Sequence, residues 1–198
     1  MTKHGISRPG GPGKLLAALV VALVALVAVP GAASAADGPR TAANDFSAQA
    51  ERAGLTAAQA RSLQQRVDGY LAENHGTQIA ANKIALPGGE LLLTLPGERK
   101  VRDLDAPKAG LGVTSACPST YVCAYKYENF TGDQLNLFTC NTLNLINWYT
   151  TGSWINAQRS TLYAKFYDSD KILRWTSPGG YSSDAHADWR WVWYLSPC

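Results

Sequence analysis

Four cysteines, one histidine and a few closely spaced acids are the residues of the chain's second half with chemistry to offer. Cys117, Cys123, Cys140 and Cys198 form an even set confined to the last 82 residues. Zinc would need finger-like spacing and more imidazoles, yet five residues separate Cys117 from Cys123 and His186 is the sole histidine beyond them. The set reads as two disulfides, as exported domains of this size use, with three pairings open. His186 has no partner at motif spacing and reads as a surface or structural residue rather than a general base. Asp168 and Asp170 flank a turn, where acids commonly serve the backbone, so they make a poor glycosidase pair. With no HExxH, no Gly-x-Ser-x-Gly and no phosphate-cradling glycine loop, the expectation is a protein that is not an enzyme.

Aromatic rings are the other chemical resource. Trp189, Trp191 and Trp193 stand at every second position, so a strand would turn all three to one face. Such a stripe is more often core than platform, and it predicts Trp191 buried with at least one neighbour partly exposed. Arg190 marks the opposite, solvent-leaning face, although Val192 shares it. Trp148, Tyr149 and Trp154, beside Asn144, Asn147 and Asn156, would suit stacking on sugars, so a carbohydrate or cell-wall binding module is the alternative function.

The elements that must position these residues divide sharply. Residues 1–35 carry Lys3, Arg8 and Lys14, an apolar run from Leu15 to Val29, and Ala33-Ser34-Ala35, the pattern of a secretory signal peptide. The run is too short to span a bilayer, so a secreted chain with no membrane partner after cleavage is expected. Of 18 basic residues three lie in that segment, and the remainder balances the 15 acids. That balance argues against nucleic acid as a partner.

Residues 36–96 read as a propeptide-like region with one helix and a hairpin. Thr56 and Gln59 offer a capping box, Leu63, Val67, Tyr70 and Leu71 follow at helical spacing, and Gly76 suits the C-cap. Pro87-Gly88-Gly89 then turns TQIAANKIAL onto ELLLTLP. A piece this small buries too little apolar surface to be very stable alone, so it docks or is removed. Residues 97–116 read as an exposed, cleavable linker. All six tryptophans and eight of nine tyrosines follow in residues 117–198. There YVCAYKY, QLNLFTC, STLYAKFY, KILRW and DWRWVWYL alternate with turn signals, the pattern of a small all-β sandwich or barrel.

The stretch YKYENFTGDQLNL resembles the folded hairpin of a βγ-crystallin Greek key, through Tyr125, Phe130 and the seventh residue after Tyr125, Gly132. Gly132 can take a positive φ where the hairpin folds over, and the two rings can pack beneath it. In that pattern a later serine bonds the folded hairpin, and Ser160 fits the place. With CPSTYVC before it and an export signal, the domain resembles the Streptomyces-type metalloproteinase inhibitors, peptidase inhibitor family 36. The leader around residues 55–95 is similar to regions ahead of such domains in secreted actinobacterial proteins. The resemblance implies a βγ-crystallin-like Greek-key sandwich and an extracellular protease, of the thermolysin type, as partner; the other reading of such a domain is structural or antimicrobial. The inhibitory loop is expected at Cys140, Asn141, Thr142, Leu143, Asn144 and Leu145, although alternating leucines commonly fill cores. Departures accompany it. The second key lacks the aromatic-to-glycine spacing, since the seventh residue after Phe166 or Tyr167 is Leu173 or Arg174. Of the calcium-binding pattern only Asn156 and Ser160 remain, so no cofactor is expected, with weak calcium binding as the alternative.

Overall fold

The computed structural model describes residues 42–105, 117–146 and 148–198; the expected signal segment, residues 106–116 of the expected linker, and Asn147 lie outside the described residues. Those residues form helices α1 (Ala42–Arg52) and α2 (Ala57–Glu73) and strands β1 (Thr77–Ala80), β2 (Lys83–Leu86), β3 (Gly89–Leu92), β4 (Val122–Tyr127), β5 (Thr131–Leu137), β6 (Asn144–Leu145), β7 (Thr151–Asn156), β8 (Lys165–Tyr167), β9 (Leu173–Thr176), β10 (Ser182–Asp188) and β11 (Tyr194–Ser196). The fold is all-β with a small helical leader. One antiparallel sheet runs β1-β2-β3-β5-β4-β7-β10 and the other β6-β11-β8-β9. The third strand of each consecutive set, β6 after β4 and β5, and β10 after β8 and β9, lies in the opposite sheet. That exchange is compatible with paired Greek keys.

The composition boundary near residue 117 is not a structural one. Pro39–Cys198 forms a single compact unit, and β3 of the leader pairs antiparallel with β5, from Gly89 opposite Leu137 to Leu92 opposite Gln134. Leu63 and Val67 of α2 share one apolar core with Leu91, Leu135, Leu137 and Trp154. The α2 capping box forms as its residues predict, but the C-cap is Asn74 rather than Gly76. TQIAANKIAL is not one strand, because a turn at Ala81-Asn82 divides it into β1 and β2.

Residues 98–105 are not an exposed linker either. Val101 is buried, and Arg102 pairs with Glu98 and donates to the Ala53 carbonyl. Lys83 reaches Asp103 at 2.9 Å and Glu90 at 3.0 Å. Burial works against the Lys83 charge, but those two carboxylates outweigh it and hold its pKa above the ordinary lysine range.

The two halves are joined by a buried carboxylate. Asp133 of β5, 1 % exposed, accepts from Arg66 Nη2 at 2.5 Å, Tyr70 Oη at 3.0 Å, Thr94 N at 2.9 Å and Thr94 Oγ1 at 3.0 Å. Trp148 Nε1 in turn donates to Tyr70 Oη at 3.1 Å. Burial first, and then the neighbouring Asp133 charge, push the Tyr70 hydroxyl far above the usual phenol pKa.

The folded hairpin joins β4 to β5. Asn129, Phe130 and Gly132 all have positive φ, and a Cβ at Gly132, at φ +84°, would collide with the Tyr127 ring. The Tyr125 and Phe130 rings meet edge to face at 5.6 Å, and burial raises the Tyr125 pKa to about 12. The serine that ties the hairpin is not Ser160, which is exposed, but Ser153 of β7. Ser153 Oγ accepts from Phe130 N at 2.8 Å and donates to the Tyr127 carbonyl at 2.7 Å. Antiparallel pairing of Ser153 with Tyr125 brings β7 beside the hairpin, whereas Ser160 lies beyond the strand's end.

Three measurements follow from this architecture. Residues 117–198 made without the leader leave β5 as an unpaired edge and Asp133 without its donors. That fragment should unfold in urea at a lower midpoint and less cooperatively than 39–198; equal curves would show independent halves. Ser153→Ala should cost about 1–2 kcal/mol by the same assay, since the half-buried Phe130 amide and the Tyr127 carbonyl both lose their partner, and Ser160→Ala should cost less than about 0.5 kcal/mol. Equal costs would restore Ser160 to the motif. Tyr70 and Tyr125 have folded pKa values above the unfolded value, so their contribution is complete below about pH 10 and fades as pH rises beyond it. Stability should therefore fall as pH rises from about 10 towards 12, and Tyr70→Phe should flatten part of that slope; an unchanged slope would remove Tyr70 from the account.

Candidate functional site

The expected inhibitory loop leaves the first sheet after β5 and enters the second at β6. Backbone, disulfide and leader brace it together. Cys140 is bonded to Cys198, and Asn141, at φ +58°, donates its N–H to the Cys198 carbonyl at 3.1 Å. The leader's hairpin turn holds the approach, since the Gly88 carbonyl accepts from Phe138 N at 3.0 Å and Thr139 N at 3.1 Å. Gly88 has no side chain to spare there, because a Cβ would overlap the Asn144 amide. At the far end β6 pairs with β11, Leu145 opposite Tyr194 and Asn144 opposite Leu195.

Within that frame the loop residues part company. Asn144 is buried and its amide donates to the carbonyls of Thr142 at 3.0 Å and Leu195 at 3.1 Å, so it is a brace and not a contact residue. Leu145 is half-buried, and Cys140, Asn141 and Leu143 are exposed. Leu143, at 38 % exposure, is the apolar side chain this segment offers to a partner. It borders a cavity of about 300 Å³ whose other walls are Asn74 and His75 beyond α2, Pro87 of the leader's hairpin, and Lys171 and Tyr194 of the β-domain. The second disulfide, Cys117 to Cys123, ties the entry of β4.

The other residues with chemical potential are explained by structure. Asp168 accepts from Asp170 N, Ile172 N and Arg174 Nε, and the backbone donor of Ile172 leads the causes that depress its pKa. It closes a turn and forms no dyad with Asp170. His186 Nδ1 lies 3.1 Å from Glu128 Oε1, both exposed, bridging β10 to the folded hairpin. Asn156 is buried, donating to the Leu162 carbonyl and Ser177 Oγ and accepting from Gln158.

The tryptophan stripe does not form. β10 stops at Asp188, and Val192 N–H donating to the Trp189 carbonyl closes a turn where an alternating strand was expected. Trp189 is buried with its indole N–H on the Tyr125 carbonyl at 2.9 Å. Trp191, expected inside, is 38 % exposed, and the buried residue is Val192. Arg190 folds back onto Asp188 at 2.7 Å, and that bond leads the causes holding the Asp188 carboxyl below its usual range. Of the proposed sugar contacts, Trp154 is buried, Trp148 is bonded to Tyr70, and Tyr149 is exposed. β7 and β10, which carry Ser153 and the rim of the aromatic region, have no counterpart in the sequence reading, nor do α1 and the two-residue β6. TTGS, at the start of β7, reads as a turn signal, and SSDAHAD has too few β-branched or aromatic residues to announce a strand.

Comparison with known proteins adds one finding. The family model described as Peptidase inhibitor family I36 matches residues 112–172. No curated protein and no solved structure matches the chain. The matched stretch contains the Cys117–Cys123 disulfide, the folded hairpin and the braced loop from Cys140 to Leu145. Residues 112–172 are thus similar to peptidase inhibitor family I36, a family of inhibitor proteins.

Proposed function

We propose that the protein is a secreted inhibitor of an extracellular metalloprotease of the thermolysin type, and that the loop Cys140–Leu145 enters the protease cleft. The observation that carries this reading is an exposed Leu143 on a segment held from three sides, by Cys198, by Gly88 and by β11, inside the stretch that matches the inhibitor family. A thermolysin-type cleft favours a bulky apolar residue just after the scissile bond, and Leu143 has that chemistry. Because the loop is already ordered, docking loses little conformational entropy, and a cut loop would stay in place through its disulfide and its backbone bonds. Two disulfides suit an oxidising, extracellular setting. Among the described residues no helix is long and apolar enough to cross a membrane.

The test is an active-site titration of thermolysin with the full chain, secreted with both disulfides formed. Stoichiometric loss of activity is expected, and Leu143→Gly should raise the inhibition constant at least about tenfold, or 1.4 kcal/mol, with an unchanged unfolding curve. Full thermolysin activity at excess inhibitor would sink the metalloprotease assignment. Inhibition confined to a subtilisin-type protease would move the target to another class.

A further inference from the structure

The exposed indoles that the protease loop does not use converge on a second feature. A cleft of about 230 Å³ opens between β9, β10 and the turn after β10. Trp154, Phe166 and Trp189 form its floor, Trp175 and Trp191 stand at its sides, and Asp184 and Asp188 occupy its rim. We propose that this cleft binds a neutral saccharide, with a sugar ring stacked on Trp175 or Trp191 and its hydroxyls on the rim.

Ring support is the first argument. Trp175 is 41 % exposed, yet it rests on Phe166 at 4.8 Å and Trp154 at 5.7 Å, and Phe166 lies stacked on Trp189 at 6.0 Å. The outer indole therefore has a rigid bed and keeps an open face. Exposed aromatic surface that is fixed in place favours a flat apolar ligand face, such as the C–H face of a pyranose, because nothing must be ordered on binding.

An unpartnered donor is the second, independent argument. Of the two buried indoles and the half-buried Trp148, Trp189 donates to the Tyr125 carbonyl and Trp148 to Tyr70 Oη. The indole N–H of Trp154, a residue only 3 % exposed, makes no hydrogen bond among the described residues. Its N–H is not sealed in, since among the described residues the sealed side-chain polar atom lacking a partner is Asn82 Oδ1. Trp154 borders this cleft, so an acceptor seated there would lie beside its indole. Buried indole N–H groups ordinarily find a partner, and a ligand hydroxyl would supply one.

Charge selects the ligand class. Arg190 is paired with Asp188 at 2.7 and 3.0 Å, and Asp184 spends one oxygen on the His186 N–H. The rim thus offers carboxylate acceptors, one of them with its charge offset by Arg190, which lies outside the lining. An anion would face two carboxylates, whereas the hydroxyls of a neutral polyol can donate to them. β6 and β9 are the two edges of their sheet, so the braced loop and Trp175 lie at opposite edges. Saccharide binding and protease inhibition are therefore separate activities of this one fold.

Calorimetric titration of the full chain with cellohexaose and with chitohexaose, two neutral oligosaccharides, tests the proposal. Saturable binding of at least one is expected below about 10 mM, and Trp175→Ala should weaken it at least about tenfold. Since Trp175 rests on Phe166, Trp191→Phe provides a second variant with less risk to folding, and about a threefold loss is expected. Trp193→Phe is the control, because Trp193 is equally exposed but lies outside the cleft. No saturable heat with either sugar would overturn the proposal. So would binding that Trp193→Phe weakens while Trp175→Ala and Trp191→Phe leave it unchanged. Concentration-dependent self-association lost in Trp191→Phe, without sugar binding, would identify a second copy as the occupant instead.

Discussion

Asp133 places a carboxylate where almost no water reaches, and four donors from the N-terminal half surround it. A buried acid of this kind stabilises little by existing, since desolvation offsets much of the attraction. It is costly to strand, however, and that asymmetry makes it a coupling device. Any motion that separates α2 from β5 strips the carboxylate of Arg66 and Tyr70. The Thr94 amide and hydroxyl fix the chain just beyond β3, so the same acid also sets where β3 meets β5. The leader is thereby committed to one position on the β-domain.

That commitment reaches the loop. Pairing of Gly89 with Leu137 sets the leader's turn against the end of β5, and the Gly88 carbonyl then takes the amides of Phe138 and Thr139. Asn144 lies against Gly88 where any side chain would intrude. The geometry of Leu143 is therefore a property of both halves. A leader that merely covered the domain could be cut away without consequence, but one that contributes a carbonyl to the loop's entry cannot. The disulfide to Cys198 fixes the other side, and the loop is held between a covalent and a hydrogen-bonded anchor.

Features legible in the sequence were those with local causes. The α2 capping box is written in Thr56 and Gln59 alone, and Gly132 marks its own positive φ. What escaped reading depended on distant partners. Asp133 looks like the polar residue of a hairpin, because nothing near it in sequence reveals that Arg66 and Tyr70 will meet it. Ser153 was passed over for Ser160 because TTGS resembles a turn, and only β7 pairing with β4 brings it to the hairpin. The tryptophan alternation failed for a related reason. Period-two spacing predicts one face only while a strand continues, and the Asp188–Arg190 bond and the turn to Val192 end it first. The seam at residue 117 marks a change in composition alone, since aliphatic leader and aromatic domain fill one core.

The two exposed surfaces obtain their rigidity by different physical means, and this bears on what each can recognise. The loop is rigid through its backbone: carbonyl anchors, a disulfide and a short strand pairing leave one side chain protruding, which suits insertion into a partner's cleft. The aromatic cleft is rigid through side chains. Phe166 and Trp189 lie within 13° of parallel, Trp175 leans on Phe166 at 64°, and each ring blocks rotation of the next. Short strands such as β8 and β9 supply few aliphatic contacts, so large rings are needed to fill the interior. Rings of that size at the margin of a thin sheet cannot all be enclosed. The outermost remain as flat, supported faces, a consequence of how this core is filled and the basis of the saccharide site proposed above.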